Sequence, residues 1–211
     1  MSKIEAIALA VEEGKSKIIA GLVEEALSEG ISAGEILNNG MIKAMGVVGE
    51  KFKNNEIFVP EMLIAARAMK KGVEVLQPHL SASGVEPLGK VIIGTVVGDL
   101  HDIGKNLVAM MIEGAGFEVT DLGVDVPPEK FVEAIKDNPD VKIVALSSLL
   151  TTTMPALKET IDAIEKAGLR EGIKIMVGGA PVSQEHADSI GADGYAPDAA
   201  SAADLAKSLA I

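Results

Sequence analysis

Val91-Ile92-Ile93-Gly94-Thr95-Val96-Val97-Gly98-Asp99-Leu100-His101-Asp102-Ile103-Gly104-Lys105-Asn106 is the stretch around which the chain organises. Residues 91–97 make a largely apolar run of the kind that forms a buried strand, and Leu107, Met110 and Met111 continue it as the apolar side of a helix. Between them an imidazole, two carboxylates and two glycines share one strand-to-helix turn. Open α/β sheets bind ligands at the carboxyl ends of their strands, so His101 stands where a ligand is expected.

Downstream the same alternation repeats. A strand near Phe117–Thr120 precedes a helix at 128–136, a strand at 141–147 precedes a helix from 154, and a strand at 173–177 is followed by a short unit at 193–196 and a last helix. Strands separated by helices imply right-handed crossovers and a parallel sheet. The simplest arrangement is a flavodoxin-like, Rossmann-type sheet of five parallel strands in the order 2-1-3-4-5. In that order the loops after strands 1 and 3, Asp99–Gly104 and Ser147–Thr153, open a common crevice.

Upstream, from Ile4 to Leu80, nothing reads as a strand. Apolar residues recur at helical spacing in Ile18, Leu22, Val23 and Leu27, in Ile36, Met41, Met45 and Val48, and in Met62, Ala65, Ala66 and Met69. The expectation is an all-α domain of four helices of ordinary length, with breaks at Gly14, Gly30-Ile31-Ser32 and Asn54-Asn55 and with Pro60 in a first turn. Ser81–Gly89 is rich in small residues, Pro and Gly and reads as the junction. The expected division is a helical domain over 1–82, a linker over 83–89 and an α/β domain over 90–211.

Composition narrows the function classes. A formal charge of −12 and an aromatic content of 2% oppose nucleic acid as a partner, since it requires a basic face and stacking rings. No window approaches the ~18 uninterrupted apolar residues of a membrane span, and Met1-Ser2-Lys3-Ile4-Glu5 is unlike a secretory signal. A cytoplasmic protein without a membrane partner is expected. With no cysteine, disulfides, zinc-thiolate sites and thiol nucleophiles are excluded, and a metal must come through His, carboxylate or a cofactor.

Ser147-Ser148-Leu149-Leu150-Thr151-Thr152-Thr153 sets five hydroxyls in seven residues at the end of a strand. One of them, Thr153, suits an N-cap before Met154-Pro155, but one cap does not account for five hydroxyls, and some are expected to face a ligand. Gly178-Gly179 lets a bulky group approach the backbone or simply makes a turn. Tyr195, the only tyrosine, falls at the expected crevice edge or in a plain turn. Gly104-Lys105 is no Walker loop, because five residues separate Gly98 from Gly104 and Asn106 stands where Ser or Thr is needed. A divalent ion on Asp99, His101 and Asp102 would need ligands from elsewhere. The other histidines, His79 and His186, lie in no motif.

Asp99-Leu100-His101-Asp102-Ile103-Gly104 resembles the D-x-H-x-x-G signature of cobalamin-binding domains, Ser147-Ser148-Leu149 their S-x-L, and Gly178-Gly179 their glycine pair. The helical half, with Asn55–Glu61, is similar to the cap over the corrin in methionine synthase and small corrinoid proteins. The resemblance implies a methyl carrier for methanol, methylamine, betaine or methoxyaromatic methyltransferases. It would bind cobalamin or a related corrinoid base-off and His-on, with His101 as the axial ligand to cobalt. Asp99 would hold the other ring nitrogen and Thr153 would continue the hydrogen-bond chain. Leu100, Asp102, Ile103 and Gly104, Ser147, Leu149 and Thr151, Gly178 and Gly179, and Tyr195 would contact the cofactor. Phe58 and Met62 would shield the methyl group or form bundle core.

The implied chemistry takes a methyl group onto Co(I) through a substrate-specific methyltransferase. It passes that group from methyl-Co(III) to tetrahydrofolate or a thiol such as coenzyme M through a second methyltransferase, with a reductive activator in support. The alternatives are a cobalamin-binding sensor, for which no output domain is read in the sequence, and a metal-dependent flavodoxin-like enzyme centred on His101.

Overall fold

A computed structural model of the chain describes residues 1–210. It forms two compact units, one of Met1–Glu86 with Gly114–Gly116 and one of Pro87–Glu113 with the chain from Phe117 onward. The first contains α1 (Lys3–Glu12), α2 (Ile19–Ser28), α3 (Ala33–Glu35), a π-helical segment Ile36–Ile42, α4 (Lys43–Lys53) and α5 (Val59–Ser83). Because α3, the π segment and α4 run on in helical geometry, the unit has four helical rods.

Local chemistry sets their ends. The Ser2 hydroxyl accepts the Glu5 N–H while the Glu5 carboxylate accepts the Ser2 N–H, a reciprocal cap that starts α1. Ser32 caps α3, Pro60 lies in the first turn of α5, and Gly84, in the left-handed region, ends it. The core takes Ile7 and Val11, Ile19, Val23 and Ala26, Met41, Met45 and Val48, and Met62, Ala65, Met69 and Leu76.

Three features differ from the sequence expectation. Ile18 is exposed, because the buried stripe of α2 begins one residue later at Ile19. The π segment spans Asn38-Asn39-Gly40, where Gly40 packs against Ile7. At 25 residues, α5 is long and keeps the small-residue stretch helical through Ser83. Met62 is buried, whereas Phe58 is 62% exposed.

The second unit contains β1 (Lys90–Thr95), α6 (Ile103–Gly114), β2 (Glu118–Asp121), α7 (Pro128–Asp137), β3 (Val141–Ser147), α8 (Met154–Lys166), β4 (Lys174–Gly178), α9 (Gln184–Ile190), β5 (Gly194–Tyr195) and α10 (Ala199–Leu209). All strand pairs are parallel, in the order β2-β1-β3-β4-β5, so the topology is the expected one. With the helical rods this makes nine helices among the described residues. α9 is absent from the sequence reading because it is short and buries only Ala187 and Ile190.

The register brings the strand ends together. Thr95 of β1 is level with Ser147 of β3, and Ser147 with Gly178 of β4, so three strands end side by side. β1 stops at Thr95, and Val96 continues only as a single bridge to Val126. Below this edge Phe131 of α7 is fully buried against Gly94, where an added Cβ would lie 2.7 Å from the ring. No helix among the described residues is long and apolar enough to cross a membrane.

Candidate ligand site at the carboxyl edge of the sheet

Asp99 lies in the loop after β1 with no exposed surface, and its carboxylate gathers donors from two loops. Oδ1 accepts the His101 N–H at 3.1 Å and the His101 ring at Nδ1, 2.7 Å away. Oδ2 accepts the Leu149 N–H at 2.7 Å, the Leu150 N–H at 3.3 Å and the Thr153 hydroxyl at 2.9 Å. Burial by itself raises the carboxyl's pKa. The Leu149 N–H, the His101 ring, the His101 N–H and the Thr153 hydroxyl together outweigh it and hold Asp99 well below the ordinary carboxylate range.

An ionised carboxylate only accepts, so Nδ1 of His101 must carry the proton in this contact. When the ring is neutral its lone pair is then on Nε2. The His101 side chain is 51% exposed and bonds only Asp99 among the described residues, which leaves Nε2 open to an incoming atom. No three His, Cys, Asp or Glu side chains converge to chelate a bare ion among the described residues. The site thus offers one oriented nitrogen to a metal that brings its other ligands with it. The surroundings suit a broad apolar group: Leu100, Leu149 and Leu150, on the two loops around Asp99, and Ile103, at the start of α6, expose their side chains.

Thr153 occupies the N-cap position of α8, yet its side chain makes no cap hydrogen bond. Its single proton faces two acceptors, Asp99 Oδ2 at 2.9 Å and the Leu150 carbonyl at 3.0 Å, so the contact of 2.8 Å with Ser148 Oγ is donated by Ser148. A chain runs Ser148 to Thr153 to Asp99, met from the other side by His101. Ser148 is fully buried, and in the sequence it is one member of the hydroxyl cluster with nothing to mark it as a site residue. Neighbouring hydroxyls are equivalent in sequence, and only the path of the loop after β3 decides which turns inward.

Gly178 and Gly179 complete the row. The Ser148 N–H donates to the Gly178 carbonyl at 3.1 Å, and Gly179, at φ +126°, passes so close that an added Cβ would lie 1.8 Å from the Ser148 carbonyl oxygen. The glycine pair therefore seats the hydroxyl loop. Gly104 is different, with nothing within 4 Å of an added Cβ. Ser147 ends β3, its carbonyl accepting the Val96 N–H, while Thr151 is exposed in the following turn. Asp102 accepts the Asn106 side chain at 3.2 Å in the first turn of α6. Tyr195 pairs with Val177, one residue before the glycines, and its half-buried ring packs against the sheet's apolar core.

Two supports carry no sequence signal. Asp125, at φ +54°, accepts the Gly98 N–H at 2.7 Å through Oδ1 and donates its own N–H to the Asp99 carbonyl at 2.9 Å. Asn and Asp tolerate this left-handed conformation better than other side-chain-bearing residues. Lys105 is buried, with its ammonium on Asp121 at the end of β2 and on Asn106. Together they tie the end of β2 and the loop after it to the segment carrying His101. A buried lysine and a left-handed aspartate leave no mark in hydropathy.

A family model described as B12 binding domain matches residues 89–204, and a second so described matches residues 3–77. The chain is 39% identical to corrinoid protein DSY3155 of Desulfitobacterium hafniense (strain Y51), over 99% of this chain and 98% of that one. It is 44% identical to trimethylamine corrinoid protein 1 of Methanosarcina acetivorans, over 94% of each. Among solved structures, the methanol:cobalamin methyltransferase complex MtaBC of Methanosarcina barkeri matches with a TM-score of 0.86 and 30% identity, over 99% of this chain and 79% of that one.

Proposed function

The chain belongs to the corrinoid proteins of methyltransferase systems, built on B12-binding domains, and from that we propose that it holds its corrinoid base-off with His101 as the lower ligand of cobalt. When bound, the corrinoid supplies a cobalt centre that takes up a methyl group when reduced and gives it up to an acceptor. The work of the protein is to hold and tune that centre. Asp99 fixes the tautomer that frees Nε2 and makes the imidazole a stronger donor, because its charge stabilises positive character on the ring. The Leu149 N–H and the Thr153 hydroxyl, itself held by Ser148, keep Asp99 ionised in turn. Leu100, Ile103, Leu149 and Leu150 would meet the macrocycle, while Gly104, Ser147, Thr151 and Tyr195 would border its nucleotide tail.

On this reading the protein serves a substrate-specific methyltransferase on the donor side. On the acceptor side stands a second methyltransferase, delivering to tetrahydrofolate or to a thiol such as coenzyme M. A reductive activator restores the cobalt, and the setting is cytoplasmic. The name of the methanol:cobalamin methyltransferase complex supports a partner of the first kind.

The observation that carries the proposal is the exposed imidazole with its Nδ1 tied to a buried, ionised carboxylate. The test is the ultraviolet-visible spectrum after reconstitution with hydroxocobalamin and desalting, beside His101→Ala. Retained corrinoid with a spectrum that changes in the variant is the expected result. Folded wild-type protein that retains none, or a spectrum unaltered in the variant, overturns the assignment.

A further inference from the structure

We propose that Thr95 is a positioning residue for His101, its buried hydroxyl holding the histidine carbonyl and so setting the direction in which Nε2 is presented. The proposal builds on the reading of His101 as a cobalt ligand and goes beyond it to the group that aims the ligand.

Thr95 ends β1 and has no exposed surface. In Val91–Val97 it is the only side chain able to hydrogen-bond. Taking a hydroxyl out of water into such a strand is unfavourable unless it finds a partner, and valine has nearly the same shape without that cost. The backbone groups of Thr95 are committed elsewhere, the N–H to the Gly123 carbonyl at 3.0 Å and the carbonyl to the Val126 N–H at 3.0 Å. The hydroxyl's one proton goes to the His101 carbonyl, six residues on, at 2.9 Å.

That carbonyl lies just outside α6, whose first turn closes from the Asn106 N–H to the Asp102 carbonyl, so the helix does not hold it. His101 is therefore gripped on two sides. Asp99 takes its N–H and Nδ1, and Thr95 takes its carbonyl. The first grip decides which ring nitrogen is free. The second stops the residue from pivoting about Asp99, and the strand end supplies the rigid point from which it is aimed. Asp99 alone leaves that rotation open.

The test compares Thr95→Val, which removes the donor at constant volume, with Thr95→Ser, which keeps it. In the protein without corrinoid, nitrogen-15 NMR of the His101 ring reads the tautomer and the Nδ1 hydrogen bond. After loading with hydroxocobalamin, the spectrum and the affinity read the ligand. The expected result is a folded Thr95→Val protein with shifted His101 ring signals, corrinoid affinity lower by about tenfold or more, and a spectrum moved toward that of His101→Ala, with Thr95→Ser restoring all three. Wild-type ring signals and affinity in Thr95→Val overturn the proposal. Equal damage in Thr95→Ser also overturns it, since the methyl group would then be the part that matters. If Thr95→Val fails to fold, Thr95→Ala is judged by the same readouts. The ring signals of the unloaded protein test Thr95 whether or not His101 binds cobalt, so failure here and failure of the cobalt assignment are told apart.

Discussion

Gly179→Ala puts the seating of the hydroxyl loop to a quantitative test. The new Cβ would lie 1.8 Å from the Ser148 carbonyl oxygen and 2.7 Å from its carbon, where ordinary contact begins at 3.4 Å, so the chains must separate by 1.6 Å (3.4 − 1.8) along the closest approach. Both partners are backbone, and no side-chain rotation relieves the clash. Holding alanine at φ +126° adds strain of roughly 1–3 kcal/mol. Displacing Ser148 by this distance breaks its N–H bond to Gly178 and draws the Leu149 N–H away from Asp99, and a bond to a charged acceptor contributes about 1.5–3 kcal/mol. Strain and the weakened charged bond together make a loss of roughly 2.5–6 kcal/mol, a large part of a domain's usual ~5–15 kcal/mol. Gly178→Ala is the control, because its Cβ meets only the Ala196 carbonyl oxygen, at 3.3 Å, and its φ is not positive. It should cost about 1 kcal/mol or less. With no tryptophan in the chain, urea unfolding is best followed by far-ultraviolet circular dichroism, alongside corrinoid retention. A Gly179→Ala protein within about 1 kcal/mol of wild type would refute the close-approach argument.

Gly104→Ala should behave in the opposite way: the added methyl meets nothing in the protein, so helix stability rises by a few tenths to about 1 kcal/mol while corrinoid retention falls, measured by the same unfolding curve and by desalting. Asp99 carries a pH prediction. Its folded-state pKa is depressed, so the stability it contributes is fully present above the unfolded value of about 3.9 and is lost as pH falls through the lower folded value. Acid titration by circular dichroism should therefore show wild type losing stability below about pH 4 more steeply than Asp99→Asn, which should be the less stable of the two at pH 7. His101→Ala removes the ring's hydrogen bond to the buried Asp99 carboxylate and should lower stability by at most about 1.5–3 kcal/mol, so corrinoid retention is compared on protein that circular dichroism shows to be folded, where any loss is a loss of the ligand. Gly94→Ala drives a Cβ to 2.7 Å from the buried Phe131 ring and should be destabilising, with Phe131→Leu partly restoring stability in a double-mutant cycle.

Much of the architecture is legible in the chain because each strand and most helices carry their own pattern. Val141–Ser147 is apolar enough to be bounded at both ends, and Ser32 and Pro60 mark helix starts by local hydrogen bonding and φ preference, whereas the caps at Ser2 and Gly84 emerge only in the structure. The exceptions are equally physical. α9 has two buried positions and shows no period, and the π segment, in which Gly40 packs on Ile7, follows a spacing that reads as ordinary α-helix. Thr95 looks like one more β-branched residue of a buried strand until the chain folds back and His101 presents its carbonyl.

The sequence by itself determined the alternation that makes a parallel sheet, the helical half before it, and the presence of His101, the hydroxyl cluster and the glycine pair at strand ends, since these depend on residue type and near-neighbour spacing. Only the tertiary structure decided which groups touch. Asp99 reaches Leu149 and Thr153 across 50 and 54 residues of chain, and it does so because the register sets Thr95 level with Ser147. A register is a property of two strands together, fixed by the packing of both, and neither strand encodes it alone.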